Sequence, residues 1–258
     1  FSLMKKTVAI LGSTGSIGKN TYNIIKNNKN DFNVILLSTN KNISTIHKQA
    51  KELKVKNIIV SSKFHFLKLK QKIKNSKIQI HNDLNTLQSI VNKRIDYTMC
   101  AISGLNGLKP TIDAIKFSKT IAIANKESII CGWHIINKEL KKNKTNFIPI
   151  DSEHFSTWTL IKNQNKESIK KIYLTASGGP FLNKKSSVIA NINPKYALKH
   201  PNWRMGKKIS IDSATLMNKV FEVIEANKIF DLDIKKFKII IHPKSYVHAI
   251  VHFKNGLV

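Results

Sequence analysis

The sequence predicts an α/β protein in two parts: a doubly wound parallel sheet over residues 1–150, then an α+β unit over residues 151–258. Three observations carry that reading. Short β-branched runs alternate with longer polar, helix-compatible segments up to Ile150, the pattern of strands joined by crossover helices. These runs are apolar on both faces, as strands covered by helices on each side must be. Beyond Ile150 the alternation stops.

In chain order, strands are expected at Thr7–Leu11, Val34–Leu37, Asn57–Val60, Lys77–Ile80, Tyr97–Ala101, Thr120–Ala124 and Asn146–Ile150. The second part opens with a strand at Lys171–Thr175 and a Gly-Gly-Pro turn. A loop rich in Pro, His and Trp follows at Lys199–Met205, then one helix from about Ser213 to Phe230 and a strand at Lys238–His242. Val247–Phe253 reads as a last strand running into a turn at Asn255-Gly256. The chain stops at Val258, where a partner strand would begin, so an incomplete fragment is expected. With 258 residues and 41% hydrophobic content, one large core or two modest ones can form, with a cleft between domains.

Composition narrows the function. No apolar run approaches the ~20 residues that span a bilayer, and Phe1–Lys6 leads straight into a strand-like run; a cytoplasmic protein with no membrane partner is expected. Cys100 and Cys131 form no C-x-x-C pair and read as buried thiols. The 44 Lys+Arg against 15 Asp+Glu give a net charge of +29, which invites a nucleic-acid reading. The excess is nearly all Lys, spread along the chain together with abundant Asn and Ile, as an A/T-rich genome would produce. No element interleaves Arg with aromatics as a nucleic-acid groove does, so no nucleic-acid partner is expected.

The chemistry-bearing motifs fall at strand ends. Thr7–Leu11 is followed by Gly12-Ser-Thr-Gly15-Ser-Ile-Gly18 and a helix, a Rossmann-like junction where backbone N–H groups receive a pyrophosphate; the alternative is a plain tight turn. The second strand ends in Ser38, Thr39, Asn40, Lys41 and Asn42 without the carboxylate that binds a ribose 2′-hydroxyl, which suits a 2′-phosphate and hence NADPH, unless Lys41 is ordinary surface. Asp151-Ser152-Glu153 places two carboxylates at a strand's C-terminal edge, fit for Mg²⁺ or Mn²⁺ with a third acid, or for a helix N-cap. In Ser210–Glu222, Asp212 or Ser213 would cap a helix. Asn218 and Glu222 share one face beside Lys219, with Val220, Val223 and Ile224 turned toward packing. That face suits a phosphate and a metal, or simply solvent. Ser177-Gly-Gly-Pro180 is a phosphate turn or a sharp bend. His200-Pro-Asn-Trp-Arg-Met-Gly206 reads as a lid over a ligand or a loop holding a structural Trp. His248 and His252 lie about 13 Å apart on a strand, cannot share a metal, and read as structural.

Together Gly12–Gly18, Asn125-Lys-Glu-Ser128, Asp151-Ser-Glu-His154, Ser177–Pro180, His200-Pro-Asn-Trp203, Asp212–Lys219 and Glu222 resemble the 1-deoxy-D-xylulose 5-phosphate reductoisomerase family, in the family's order along the whole chain. The resemblance implies that residues 1–150 bind NADPH and residues 151–258 form a catalytic domain lacking the family's C-terminal helical domain. It implies NADPH contacts at Thr14, Gly15, Ser16, Ile17, Lys41, Asn42, Asn125, Glu127 and Gly206, and a metal on Asp151, Glu153 and Glu222. Lys126, Ser152 and His200 would face the substrate's hydroxyls and carbonyl. Ser177, Ser213, Asn218 and Lys219 would grip its phosphate, with Trp203 and Met205 on a closing loop. The implied reaction is metal-assisted rearrangement of a sugar phosphate followed by hydride reduction, in a homodimer when full length. Asn40 and Val220 each stand where the family usually has Gly.

Two competing readings make different demands. A semialdehyde dehydrogenase of similar build needs a catalytic Cys in a polar loop, where neither Cys lies. A basic RNA-binding protein would bind generic nucleic acid with a steep salt dependence and ignore NADPH.

Overall fold

The computed structural model describes residues 4–73, 76–200 and 206–258, and the chain divides into two compact units, residues 1–148 and 149–258. In the first, β1 (Lys6–Leu11), α1 (Ser16–Asn27), β2 (Phe32–Thr39), α2 (Ile43–Glu52), β3 (Asn57–Val60), α3 (Lys63–Lys72) and β4 (Gln79–His81) build one half of a sheet. The short α4 (Leu87–Ile90) leads to β5 (Ile95–Cys100), α5 (Leu108–Ile115), β6 (Ser118–Ile123), α6 (Lys126–Asn143) and β7 (Asn146–Pro149). The strand order is β4-β3-β2-β1-β5-β6-β7, so the order reverses between β1 and β5, the place where doubly wound sheets bind ligands. Val8, Ile10, Leu36, Leu37, Ile58, Ile59, Ile121 and Ile123 are buried, which is why these strands read as unbroken apolar runs. Several strands run one or two residues beyond their expected bounds, and the expected Lys77–Ile80 strand is Gln79–His81.

The second unit contains α7 (Ser152–Ile161), β8 (Ile169–Ala176), α8 (Ser186–Ala190), α9 (Lys207–Ala214), α10 (Met217–Phe230), β9 (Phe237–Ile241) and β10 (Ala249–Phe253). Its sheet is β10-β8-β9, with β8 parallel to β9 and antiparallel to β10. Ile172, Leu174, Phe237 and Val251 from the sheet pack with Ala226 and Phe230 of α10 and with Trp158 and Ile161 of α7. This core fixes α7 and α10 side by side on one sheet, and those two helices carry the site.

Three expectations are corrected. The single helix from Ser213 to Phe230 is two helices, α9 and α10, broken where Leu216 takes a left-handed backbone (φ 58°). Asp212 and Ser213 therefore end a helix instead of capping one, and Asp212 pairs with Lys208 at 2.7 Å. Cys131 is exposed on α6, whereas Cys100 is buried and burial pushes its thiol up to about 12. No helix among the described residues is long and apolar enough to cross a membrane.

Candidate active site

Asp151 is the N-cap of α7 and Glu153 stands in its first turn, so the end of β7 delivers both carboxylates to one point. Glu222 reaches the same point from α10: one carboxylate oxygen from each of Asp151, Glu153 and Glu222 lies within 4.8 Å of the others. Three hard oxygen donors at that spacing, with α7 and α10 held on one sheet, fit a divalent cation of the Mg²⁺ or Mn²⁺ kind. Lys219 Nζ donates to Glu153 Oε1 at 2.9 Å and to Glu222 Oε2, and Asn218 Nδ2 donates to Glu222 Oε1. Ser152 Oγ donates to Glu153 Oε2 at 2.7 Å. Burial alone pulls the Lys219 ammonium down, but Glu222 and Glu153 outweigh it and hold its pKa above the ordinary lysine value.

The sequence-based reading of α10 holds at Val223, which packs on the core, and fails at Val220. Lys219 and Glu222 are 5% and 2% exposed, while Val220, expected to pack, is 46% exposed. Burying charge costs several kcal/mol per ion unless each charge is matched, and here an ammonium lies against two carboxylates. His248, expected within a strand, lies just before β10, and its Nδ1 is 3.9 Å from Glu153 Oε1, beside the cluster. His154, buried on α7, places Nε2 2.9 Å from the Glu222 carbonyl oxygen. Spacing within one segment could not find either contact, because each partner comes from another element.

A second group gathers where β8 ends and α9 ends. Ser177 Oγ lies 3.0 Å from His200 Nε2 and accepts from the Gly179 N–H at 3.2 Å. Gly179 sits at φ 70°, and a Cβ there would meet the Ser213 carbonyl oxygen at 2.8 Å, so only glycine lets the two loops approach. Ser177 and His200 are thus neighbours, the Ser213 backbone lies against Gly179, and Ser213 precedes Asn218 and Lys219 across the α9–α10 corner. Burial holds the His200 pKa below the ordinary value. Gly206 caps α9. Trp203 and Met205 lie outside the described residues.

In the first unit, Gly12 takes φ 83° and a Cβ on Gly18 would sit 2.2 Å from the Gly12 carbonyl oxygen, so both positions demand glycine. The loop is pinned by neutral groups: Gly12 N–H donates to Ser38 Oγ, Ser13 N–H to the Ser38 carbonyl, and Gln49 Nε2 to the Ser13 carbonyl, each at 2.9 Å. Thr14 Oγ1 and Thr39 Oγ1 lie 2.7 Å apart. Gly15 is the N-cap of α1 and makes no side-chain cap bond, and Gly15, Ser16 and Ile17 are exposed at the helix start. That is the arrangement of a phosphate-binding turn. Asn42 caps α2 by accepting from Thr45 N–H at 3.2 Å, Lys41 is exposed, and Asn40 donates to Ser61 Oγ at 2.8 Å. Asn125 caps α6, accepting from Ser128 N–H at 2.6 Å and donating to the Gly104 carbonyl at 2.6 Å, with Lys126 and Glu127 in the first turn. Asn125's amide thus ties the start of α6 to the loop after β5.

Two family models match this chain: 1-deoxy-D-xylulose 5-phosphate reductoisomerase over residues 8–132, and the C-terminal domain of that reductoisomerase over residues 147–230. Reductoisomerases so named from Pelagibacter ubique and Clostridium tetani are 58% and 42% identical to it, each over 98% of this chain and over 66% and 67% of their own lengths. The chain belongs to the 1-deoxy-D-xylulose 5-phosphate reductoisomerase family. Solved family structures agree with its fold. The Zymomonas mobilis reductoisomerase in complex with NADPH matches at TM-score 0.89 and 35% identity, over 98% of this chain and 66% of that one. A DOX-P reductoisomerase in complex with NADPH, fosmidomycin and magnesium matches at TM-score 0.90 and 37% identity, over 98% of this chain and 65% of that one. The chain thus spans about 66% of the length of its Pelagibacter ubique relative.

Within the family frame, the second unit brings together Asp151, Ser152, Glu153, Asn218, Lys219 and Glu222, and separately Ser177 and His200, with the Ser213 backbone against Gly179. The residues that sequence reasoning left without a role are His154, His248 and Glu225. One signal was available: Lys219, Glu222 and Glu225 recur every three residues on α10, in a chain with only 15 acids.

Proposed function

We propose that the protein is an NADPH-dependent reductoisomerase that converts 1-deoxy-D-xylulose 5-phosphate to 2-C-methyl-D-erythritol 4-phosphate. Residues 1–150 bind the dinucleotide, residues 151–258 carry out the rearrangement, and the enzyme works as a cytoplasmic homodimer. The observation that carries the reading is the convergence of Asp151, Glu153 and Glu222 around Lys219 in a member of this family. The relatives' complexes with NADPH and with magnesium support the cofactors assigned.

Asp151, Glu153 and Glu222 hold the divalent cation, which when bound supplies Lewis-acid stabilisation of charge developing on substrate oxygens. Lys219 orients Glu153 and Glu222 by donating to both and supplies the countercharge to the buried Glu222. Ser177, Ser213, Asn218 and Lys219 bind the substrate phosphate; anchoring that remote group orients the reacting carbons. Ser152, Lys126 and His200 bind the substrate's hydroxyls and carbonyl, His200 entering neutral at neutral pH because burial disfavours its charged form. Trp203 and Met205 complete the set of substrate-binding residues. Gly12–Gly18 presents N–H groups to the pyrophosphate through Thr14, Gly15, Ser16 and Ile17. Lys41 and Asn42 receive the 2′-phosphate, and Asn125, Glu127 and Gly206 complete the dinucleotide site. The dehydrogenase alternative is disfavoured by Cys100, whose buried thiol at about 12 is no nucleophile.

The test is NADPH oxidation by the full protein with 1-deoxy-D-xylulose 5-phosphate. Turnover should require Mg²⁺ or Mn²⁺, vanish with a chelator and return when metal is restored. Turnover indifferent to chelator would remove the metal from the reading, and failure to oxidise NADPH with this substrate would remove the reading itself.

A further inference from the structure

α10 buries a third charged side chain beyond the two that serve the carboxylate site. Glu225, one turn past Glu222, is 2% exposed, and its Oε2 lies 4.0 Å from Nδ1 of His154, which is 1% exposed on α7. The other ring nitrogen, Nε2, lies 2.9 Å from the backbone carbonyl of Glu222. A carbonyl oxygen only accepts, so Nε2 carries the hydrogen and donates, which fixes the ring's orientation. Nδ1 therefore faces Glu225, and the ligand atoms of Asp151, His154 and Glu225 also lie within 4.8 Å of one another.

The imidazole is thus a strut between the two helices that carry the site. It stands one residue from Glu153 and three from Asp151 on α7, and it holds the backbone of Glu222 on α10. At 4.0 Å the Glu225 contact is longer than a hydrogen bond, so it acts through charge and packing on a ring already tethered at its other end. Groups held behind a metal's ligands commonly orient those ligands without touching the ion.

We propose that Glu225 is a positioning residue: through His154 it sets the spacing between Asp151 and Glu153 on one helix and Glu222 on the other. This inference rests on the metal reading given under Proposed function. It assigns Glu225 neither a bond to the cation nor a contact with substrate.

The test is Mn²⁺ titration of the full protein, read by loss of the free-ion electron paramagnetic resonance signal, with NADPH affinity measured on the same samples. Glu225→Gln should weaken Mn²⁺ binding about 10–100-fold and leave NADPH affinity within about twofold of wild type. Glu222→Gln, which removes a ligand, should weaken it further. His154→Gln keeps an amide N–H for the Glu222 carbonyl but loses the ring that faces Glu225; it should reproduce the Glu225→Gln loss, and the double variant should bind no worse than the weaker single one. Mn²⁺ affinity within twofold of wild type in Glu225→Gln would overturn the proposal, as would a loss matching Glu222→Gln, which would make Glu225 a ligand. A parallel loss of NADPH affinity would show a general structural role and overturn it too. Should Glu225→Gln fail to fold, His154→Gln decides by the same titration, and wild-type affinity there overturns the strut. A wild-type protein that binds no Mn²⁺ would instead sink the metal reading.

Discussion

The two units hold their sites by opposite means. The glycine loop of the first is fastened by neutral groups: Ser38 Oγ, two backbone carbonyls and the Gln49 amide. The second gathers an ammonium, three carboxylates and two imidazoles, several of them almost wholly buried. Neutral bonds cost little to bury and each is worth about 1 kcal/mol net. A buried charge is stable only with its countercharge, so losing one partner exposes the full desolvation penalty of the other. The difference suits the ligands: a dinucleotide turn needs free N–H groups on a fixed backbone, and a cation needs negative charge waiting for it.

Substitutions of increasing mildness sharpen that contrast. Lys219→Met, which leaves Glu153 and Glu222 without their ammonium, should cost about 3–5 kcal/mol in urea unfolding. Saturating Mn²⁺ should stabilise this variant more than the wild type, since the ion then supplies the missing countercharge; equal stabilisation would break the contrast. Gly18→Ala drives a Cβ to 2.2 Å from the Gly12 carbonyl oxygen and 2.6 Å from Ser13 Cα. It should cost about 1–3 kcal/mol and weaken NADPH about tenfold or more in a fluorescence titration, with Mn²⁺ affinity unchanged. Gln49→Leu removes only the bond to the Ser13 carbonyl, because Gln49 Oε1 has no hydrogen-bond partner among the described residues. Its cost should be about 0.5–1.5 kcal/mol.

The mildest case concerns pH. Lys119, then the Thr7 N–H and hydroxyl, hold the Asp96 carboxyl down at about 2. Because its folded pKa lies below the unfolded value of about 3.9, its stabilisation is complete above that value and is lost as pH falls from about 4 to about 2. Asp96 is partly exposed, so the contribution is under about 1 kcal/mol. Urea unfolding at about pH 5 and about pH 3 should show Asp96→Asn flattening the fall between them.

How much of this was legible in the sequence depends on what each segment buries. The central strands of the first unit could be read because both faces are covered, and Gly12 and Gly18 could be read because sterics leave no other residue there. The α9–α10 break could not: Ser-Ala-Thr-Leu-Met-Asn contains neither Gly nor Pro, and a leucine gives no signal for the left-handed backbone that Leu216 adopts. The reading of α10 failed at Val220 because amphipathic patterns assume that apolar faces turn inward. In a binding site the charged stripe of Lys219, Glu222 and Glu225 is the buried one. Asp151 and Glu153 could be proposed from their place at a strand end, whereas His248 and His154 acquire their neighbours only through the packing of α7, α10 and β10.

The central claim is that acids separated by some seventy residues form one cation site, and Mn²⁺ binding measured by electron paramagnetic resonance tests it most directly. The wild-type protein should bind about one ion per chain tightly, with sharp losses in Asp151→Asn, Glu153→Gln and Glu222→Gln alike. Full Mn²⁺ affinity in a folded Glu222→Gln protein would contradict it.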